Sequence, residues 1–149
     1  MRLVTVLVLS CFSLLATDQD DAIAIVQKTF DLMAAHDGPG IEALFLKDAR
    51  LVAIRESGES THTAVADFAT RIGAAKYKLI ERMWAPQVSI SGRLASLWAP
   101  YDFHRDGKRT HCGIDQVNLV KTPEGWRIAT LIYTVQTTNC PDSPLGPIN

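Results

Sequence analysis

The fold is most legible in Leu94–Gln136, LASLWAPYDFHRDGKRTHCGIDQVNLVKTPEGWRIATLIYTVQ. It divides into three strand-like runs: LASLWAPYDFH, THCGIDQVNLVK and WRIATLIYTVQ. Asp106-Gly107 separates the first two, a dipeptide that tolerates the positive φ angles of a tight hairpin. Thr122-Pro123-Glu124-Gly125 separates the others, with Pro preset for a turn and Gly free to go left-handed. Pairing Arg105 with Lys108 sets Asp102 opposite His111 and Trp98 opposite Asp115. Pairing Thr122 with Trp126 sets Asp115 opposite Tyr133. Side chains alternate along a strand, so Trp98, Asp102, His111, Asp115 and Tyr133 are predicted to share one face with Val117, Leu119, Ala129 and Leu131. The other face then carries Leu97, Ala99, Tyr101, Phe103, Ile114, Ile128 and Ile132. A carboxylate, an imidazole and a phenol among apolar neighbours suggest the wall of a ligand pocket.

Working back from this trio, Lys78–Ser91 reads as one long strand with Pro86 at an edge or bulge. Ala64–Ala75 has helical spacing through Val65, Phe68 and Ile72, and Ala49–Arg55 alternates as a strand. Ile41–Leu46 is a short helix. Asp18–Ala35 carries the helical stripe Ile23, Val26, Phe30 and Met33, capped by Asp18 or Thr17 and ended by Gly38-Pro39-Gly40. Helices come early and long strands late, which predicts an α+β fold with helices on one face of an antiparallel sheet. Strong curvature of that sheet would leave a conical space beneath the helices, the default ligand site.

The chain has 149 residues, enough for one domain with a real core. Its 15 basic and 16 acidic residues form no basic stripe, which argues against nucleic acid or an anionic membrane surface as partner. Met1-Arg2 followed by LVTVLVLSCFSLLA has the pattern of a secretory signal peptide: a positive start, an apolar run too short to span a bilayer, and small residues before Asp18. A buried first helix or a retained anchor fits less well, and Leu9-Ser10-Cys11 only faintly resembles a lipoprotein box. The expected organisation is a signal at residues 1–17 with cleavage after Ala16 or Thr17, a domain at residues 18–138, and a loose Pro-rich tail at residues 139–149. The expected location is periplasmic or secreted, with no stable membrane span. Export leaves Cys112 and Cys140, which either pair in an oxidising compartment or remain two thiols.

The order of elements resembles the nuclear transport factor 2-like superfamily, which includes ketosteroid isomerases, SnoaL-type cyclases and scytalone dehydratase. The resemblance rests on AIVQKTFDLMAAHDGPGIEALF, KDARLVAI and GIDQVNLVKTPEGWRIATLIYTV. WAPYDFHRDG, HCGID and GWRIATLIYTV are most similar to the exported SnoaL-like group also called lumazine-binding, a label that implies no demonstrated lumazine binding. The resemblance implies a cone-shaped fold and a homodimer. Asp115, Val117 and Leu119 match the pattern that carries the isomerases' oxyanion-stabilising acid. Their helix-borne tyrosine falls near Thr29 and their proton-transferring aspartate near Ala53, so two of three groups are missing here. Isomerisation by that route is not expected.

Asp115 is therefore the leading site residue, a buried carboxyl able to stay neutral and donate a hydrogen bond. The competing reading is a structural carboxylate bonded to Tyr133 or to backbone amides. Tyr133, Trp98, Val117 and Leu131 would complete a ligand-binding wall. His111 and Asp102 could act as an acid–base dyad with Asp115 if the protein is an enzyme, or be an exposed cross-strand pair. His104 reads as solvated, and Arg55 either enters the cone to meet an anion or stays on the surface. A metal site from His104, His111 and Asp102 lacks a recognised spacing. With no phosphate loop, nucleophile elbow or nucleotide fingerprint, neither metal nor cofactor is expected. Two functions compete: an exported binding protein for a small, largely apolar molecule, and a cofactor-independent isomerase, cyclase or dehydratase.

Overall fold

A computed structural model describes residues 17–148, so all of the expected signal segment except Thr17 lies outside the described residues. Helix α1 (Asp18–Ala34) begins at Thr17, whose hydroxyl accepts from the Asp20 amide while Asp20 bonds back to Thr17. This reciprocal cap satisfies two otherwise unpaired amides at the helix start. Helix α2 (Gly38–Leu44) follows, capped by Asp37. Then come β1 (Phe45–Arg55), β2 (Ser60–Ala64), α3 (Val65–Gly73), β3 (Leu79–Met83), β4 (Gln87–Ser91), β5 (Leu94–Arg105), β6 (Lys108–Thr122) and β7 (Gly125–Val135). The predicted strand over Lys78–Ser91 is two strands. Ala85 at φ 43° and Pro86 interrupt it, and both halves pair with β5. Strand β2 has no counterpart in the sequence reading.

The seven strands form one sheet in the order β2-β1-β7-β6-β5-β3, with β4 also on β5. It is antiparallel except between β1 and β7, which run parallel, so the sheet is mixed. The three helices cover its concave face. Val26, Phe30 and Met33 from α1, Ile41 from α2 and Ile72 from α3 pack on Leu51, Leu97, Val117, Leu119 and Ile128. This is the expected α+β cone.

Both hairpins form where expected, and each strand pair carries a bulge that resets its register. Asp106 and Gly107 both take positive φ, 50° and 77°, and Arg105 pairs with Lys108. Thr110 is then extra on β6, so Phe103, not Asp102, pairs with His111, and Ala99, not Trp98, pairs with Asp115. A slip of one residue exchanges the two faces of a strand. Leu97, Ala99, Tyr101 and Phe103 therefore face the cone, while Trp98 and Asp102 face outward. Ile128 also faces inward with Leu119, leaving Ile114 and Ile132 on the outside as expected. The β6–β7 turn is one residue tighter than predicted, since Thr122 pairs with Gly125. A bulge at Ala129 restores the count, and Asp115 faces Tyr133 as predicted.

Candidate functional site

A cavity of about 130 Å³ lies inside the cone. Phe30 and Met33 of α1 and Phe68 and Ile72 of α3 form its roof, and Leu51, Leu131, Tyr101 and Phe103 form its apolar sheet wall. Four polar side chains join them: Glu81, His111, Asp115 and Tyr133. Among the expected site residues, Asp115, His111 and Tyr133 thus meet in one cavity with Leu131. Val117 points inward beside them but lies in the packed core.

Two expected members are elsewhere. Trp98 is 51% exposed on the outer face, beside Ile54, Ile114 and Ile132. Asp102 is only 1% exposed, but on the outer side of the sheet. Its oxygens accept from Arg82 Nε at 2.9 Å and Nη2 at 2.5 Å. Burial pushes the Asp102 carboxyl up, but Arg82 and the neighbouring His104 outweigh it and hold the group below the usual carboxylate range. The His111–Asp102 dyad is therefore absent, because the Thr110 bulge puts its members on opposite faces. For the same reason His104, His111 and Asp102 do not assemble around one point. His104, expected in solvent, is 7% exposed, with Nε2 3.1 Å from Asp102 Oδ2 but not aligned for a hydrogen bond.

The tail expected to be loose crosses this outer side. Cys112 and Cys140 form a disulfide, with Cα atoms 5.9 Å apart. Arg109 Nη1 donates to the Pro141 carbonyl and Arg82 Nη1 to that of Gly146, each at 2.9 Å. An open groove of about 580 Å³ lies here, but its buried charges already pair with one another.

Inside the cone, Asp115 is 1% exposed, and its Oδ2 has no hydrogen-bond donor among the described residues. Tyr133 faces it across the β6–β7 ladder without bonding to it. Tyr101 donates instead to the Thr134 carbonyl at 2.8 Å. That ring lies opposite Gly113, where any Cβ would come within 2.1 Å of the Thr134 carbonyl oxygen. Glu81 of β3 lines the same cavity, and the two carboxyls influence each other's ionisation. Two carboxylates only accept, so a hydrogen bond between them needs a proton on one of them. Burial raises the Asp115 carboxyl to about 7, while the Glu81 contact acts in the opposite direction. Burial, followed by the Asp115 charge, drives Glu81 well above the usual carboxylate range. Glu81 keeps some exposed surface, and its side chain lines the cavity beside Asp115.

His111 stacks on Phe103, with ring centres 4.8 Å apart, and its Nδ1 lies 2.9 Å from the Thr110 hydroxyl. Burial, and then the charge of Arg55, lowers its pKa, leaving a neutral imidazole at pH 7. The cavity thus contains a carboxyl pair that holds a proton near neutral pH and an imidazole free to accept one. Glu81 escaped the sequence reading. In LIERM it alternates with Ile80 and Arg82, and only the pairing of β3 with β5 reveals which face it takes. Thr29 bonds back to the Ile25 carbonyl within α1, and Ala53 is a bare wall beside Tyr133. Neither supplies the phenol or the carboxylate that the isomerases carry there.

No family model matches the sequence, and no curated protein matches it. Solved structures do. An NTF2-like protein with a cystatin-like fold from Novosphingobium aromaticivorans is similar at TM-score 0.68 and 13% identity, over 83% of this chain and 84% of that one. An NTF2-like protein of unknown function from Silicibacter pomeroyi gives 0.60 and 21%, over 78% and 93%. A third, from Streptomyces avermitilis, is provisionally described as a dehydratase of the NTF2-like family. It gives 0.65 and 13%, over 79% and 95%. The fold is that of the nuclear transport factor 2-like proteins.

Proposed function

We propose that the cone binds a small, largely apolar molecule and performs acid–base chemistry on it without a cofactor, as an isomerase, cyclase or dehydratase would. The observation that carries this reading is the convergence of Glu81, Asp115 and His111 in one apolar cavity. A carboxyl whose pKa is raised to about 7 and an imidazole whose pKa is lowered by burial, facing one small space, suit proton transfer to and from a carbon acid or a leaving hydroxyl. The Streptomyces protein's provisional description is of the same kind. Binding without chemistry is the second reading, favoured by Thr29, whose hydroxyl is taken up by the Ile25 carbonyl, and by Ala53, which has no polar group.

Export and dimerisation belong to the same proposal. The Cys112–Cys140 bond suits an oxidising compartment, and the N-terminal pattern suits passage to one. The exposed outer patch of Trp98, Ile54, Ile114 and Ile132 suits a second copy of the chain.

The test is exchange of the α-hydrogens of cyclohexanone for deuterium in D₂O, with and without protein. Catalysis predicts acceleration over buffer that Asp115→Asn and Glu81→Gln each reduce by about 10²–10⁴-fold. No acceleration, with cyclohexanone still bound in the cavity, would leave binding alone as the function.

A further inference from the structure

Building on the reading that the cone holds a small molecule, we propose that this molecule is a ring-bearing organic anion, its ring between Phe30, Phe68 and Leu131 and its anionic group between Arg55 and Arg71. The size follows from the cavity, at about 130 Å³. A dry apolar cavity of roughly 150 Å³ takes one benzene ring. The charge follows from where the two arginines stand.

Leu51 and Ala53 face the cone, and Arg55 is the next residue on that face of β1. Ala53 pairs with Tyr133 and Arg55 with Val135, so the arginine lies two residues beyond the Ala53–Tyr133–Asp115 row. On α3, Arg71 follows Phe68 by three positions and precedes Ile72, and both of those neighbours line the cavity. Arg71 Nη2 lies 3.4 Å from the hydroxyl of Thr63, which pairs with Leu51 of β1. Both arginines therefore stand on the β1–β2 side of the cone, one on either side of the Ala53 row along β1, just outside the residues that line the cavity. Both residues are exposed, and among the described residues neither forms an ion pair. Glu56 is turned away to the Thr137 amide at 3.1 Å, and Asp67, one turn before Arg71, makes no ion pair with it.

Their charges reach the cavity wall. Arg55 acts on His111, and both arginines oppose the upward push that burial gives the Tyr133 phenol. At the other end of the space, Glu81 and Asp115 hold at least one negative charge once Asp115 ionises, which repels an anion from the floor. Positive flank and negative floor together orient a molecule with one apolar and one anionic end. A cationic ligand would meet the arginines first.

The experiment titrates benzoate, benzyl alcohol and benzylamine into the purified chain, following the His111 and Tyr133 ring signals by NMR. Benzoate is expected to bind at least tenfold more tightly than benzyl alcohol, and benzylamine most weakly. Raising the salt from 50 to 500 mM should narrow the difference, because these charges are exposed. The R55Q/R71Q double variant should remove the benzoate preference and leave benzyl alcohol affinity and melting temperature unchanged. Benzoate no tighter than benzyl alcohol, or benzylamine tightest, overturns the inference while the cavity reading stands. Ring signals unmoved by all three probes overturn both.

Discussion

Glu81 and Asp115 line one cavity from either side of strand β5, although the strands that carry them, β3 and β6, are not neighbours in the sheet, and each carboxyl shifts the ionisation of the other. Residues so distant in sequence meet only once the cone has closed, and their shared proton then belongs to the folded state. Asp115 has its pKa raised to about 7 from the ordinary range near 4. The native state thus binds more protons than the unfolded chain between about pH 4 and 7. The corresponding stability is fully present below pH 4 and is lost as pH rises through 7. Urea denaturation at pH 5 and pH 8 should show wild type losing on the order of a few kcal/mol over that span, and Asp115→Asn losing less. Equal losses would deny the pair its proton.

The ligand effects should follow the same partnership. Asp115→Ala is expected to weaken benzyl alcohol binding by about 1–3 kcal/mol through loss of a buried hydrogen-bonding group. Combining it with Glu81→Ala should cost less than the sum of the two, because the residues share a network. Tyr133→Phe, whose hydroxyl makes no bond to Asp115, should add its own smaller loss independently. A double-mutant cycle by calorimetry checks both statements.

On the outer face, Asp102→Ala would leave the Arg82 guanidinium without its carboxylate. Truncating one partner of a buried pair costs about 3–5 kcal/mol, toward the low end here because Arg82 is 18% exposed. Benzyl alcohol affinity per folded molecule should not change, since Asp102 faces away from the cavity. An affinity loss matching that of Asp115→Ala would return Asp102 to the site.

The disulfide closes a long loop, Cys112 and Cys140 being 28 residues apart. In the chain-entropy account such a bridge stabilises by about 3–4 kcal/mol. Cys112→Ser with Cys140→Ser should lower the melting temperature accordingly and expose the 141–148 segment to protease. Unchanged proteolysis would mean that Arg82 and Arg109 hold the tail without the bridge.

Trp98 now belongs to the association question. Trp98→Asp places a charge in the outer apolar patch and should shift sedimentation at micromolar concentration from dimer to monomer, with cavity binding intact. A wild-type monomer under those conditions would exclude the dimer.

Element types and the shape of the fold were legible because periodicity and turn chemistry are local. Asp106-Gly107 announced its hairpin, and Asp115, Val117 and Leu119 announced an inward face. The reversed strand faces trace to single inserted residues. Thr110 carries no local mark of a bulge, yet it reverses β5 and removes Trp98 and Asp102 from the site. The Ala129 bulge was equally silent, and its effect was to compensate for a misjudged turn. Glu81 was hidden for another reason: its role depends on a strand pairing that joins residues more than thirty positions apart from Asp115.

The parallel seam between β1 and β7 sets a schedule for folding. The last strand made is the one that joins the β1–β2 hairpin to the rest of the sheet. Until residues up to Val135 are available, the concave face has a gap in its middle and α1 has no complete surface to cover. Long-range pairing of this kind is slow, because the whole loop between the partners must be closed first. An emerging chain therefore keeps its β1–β2 hairpin apart from the rest of the sheet until β7 has been made.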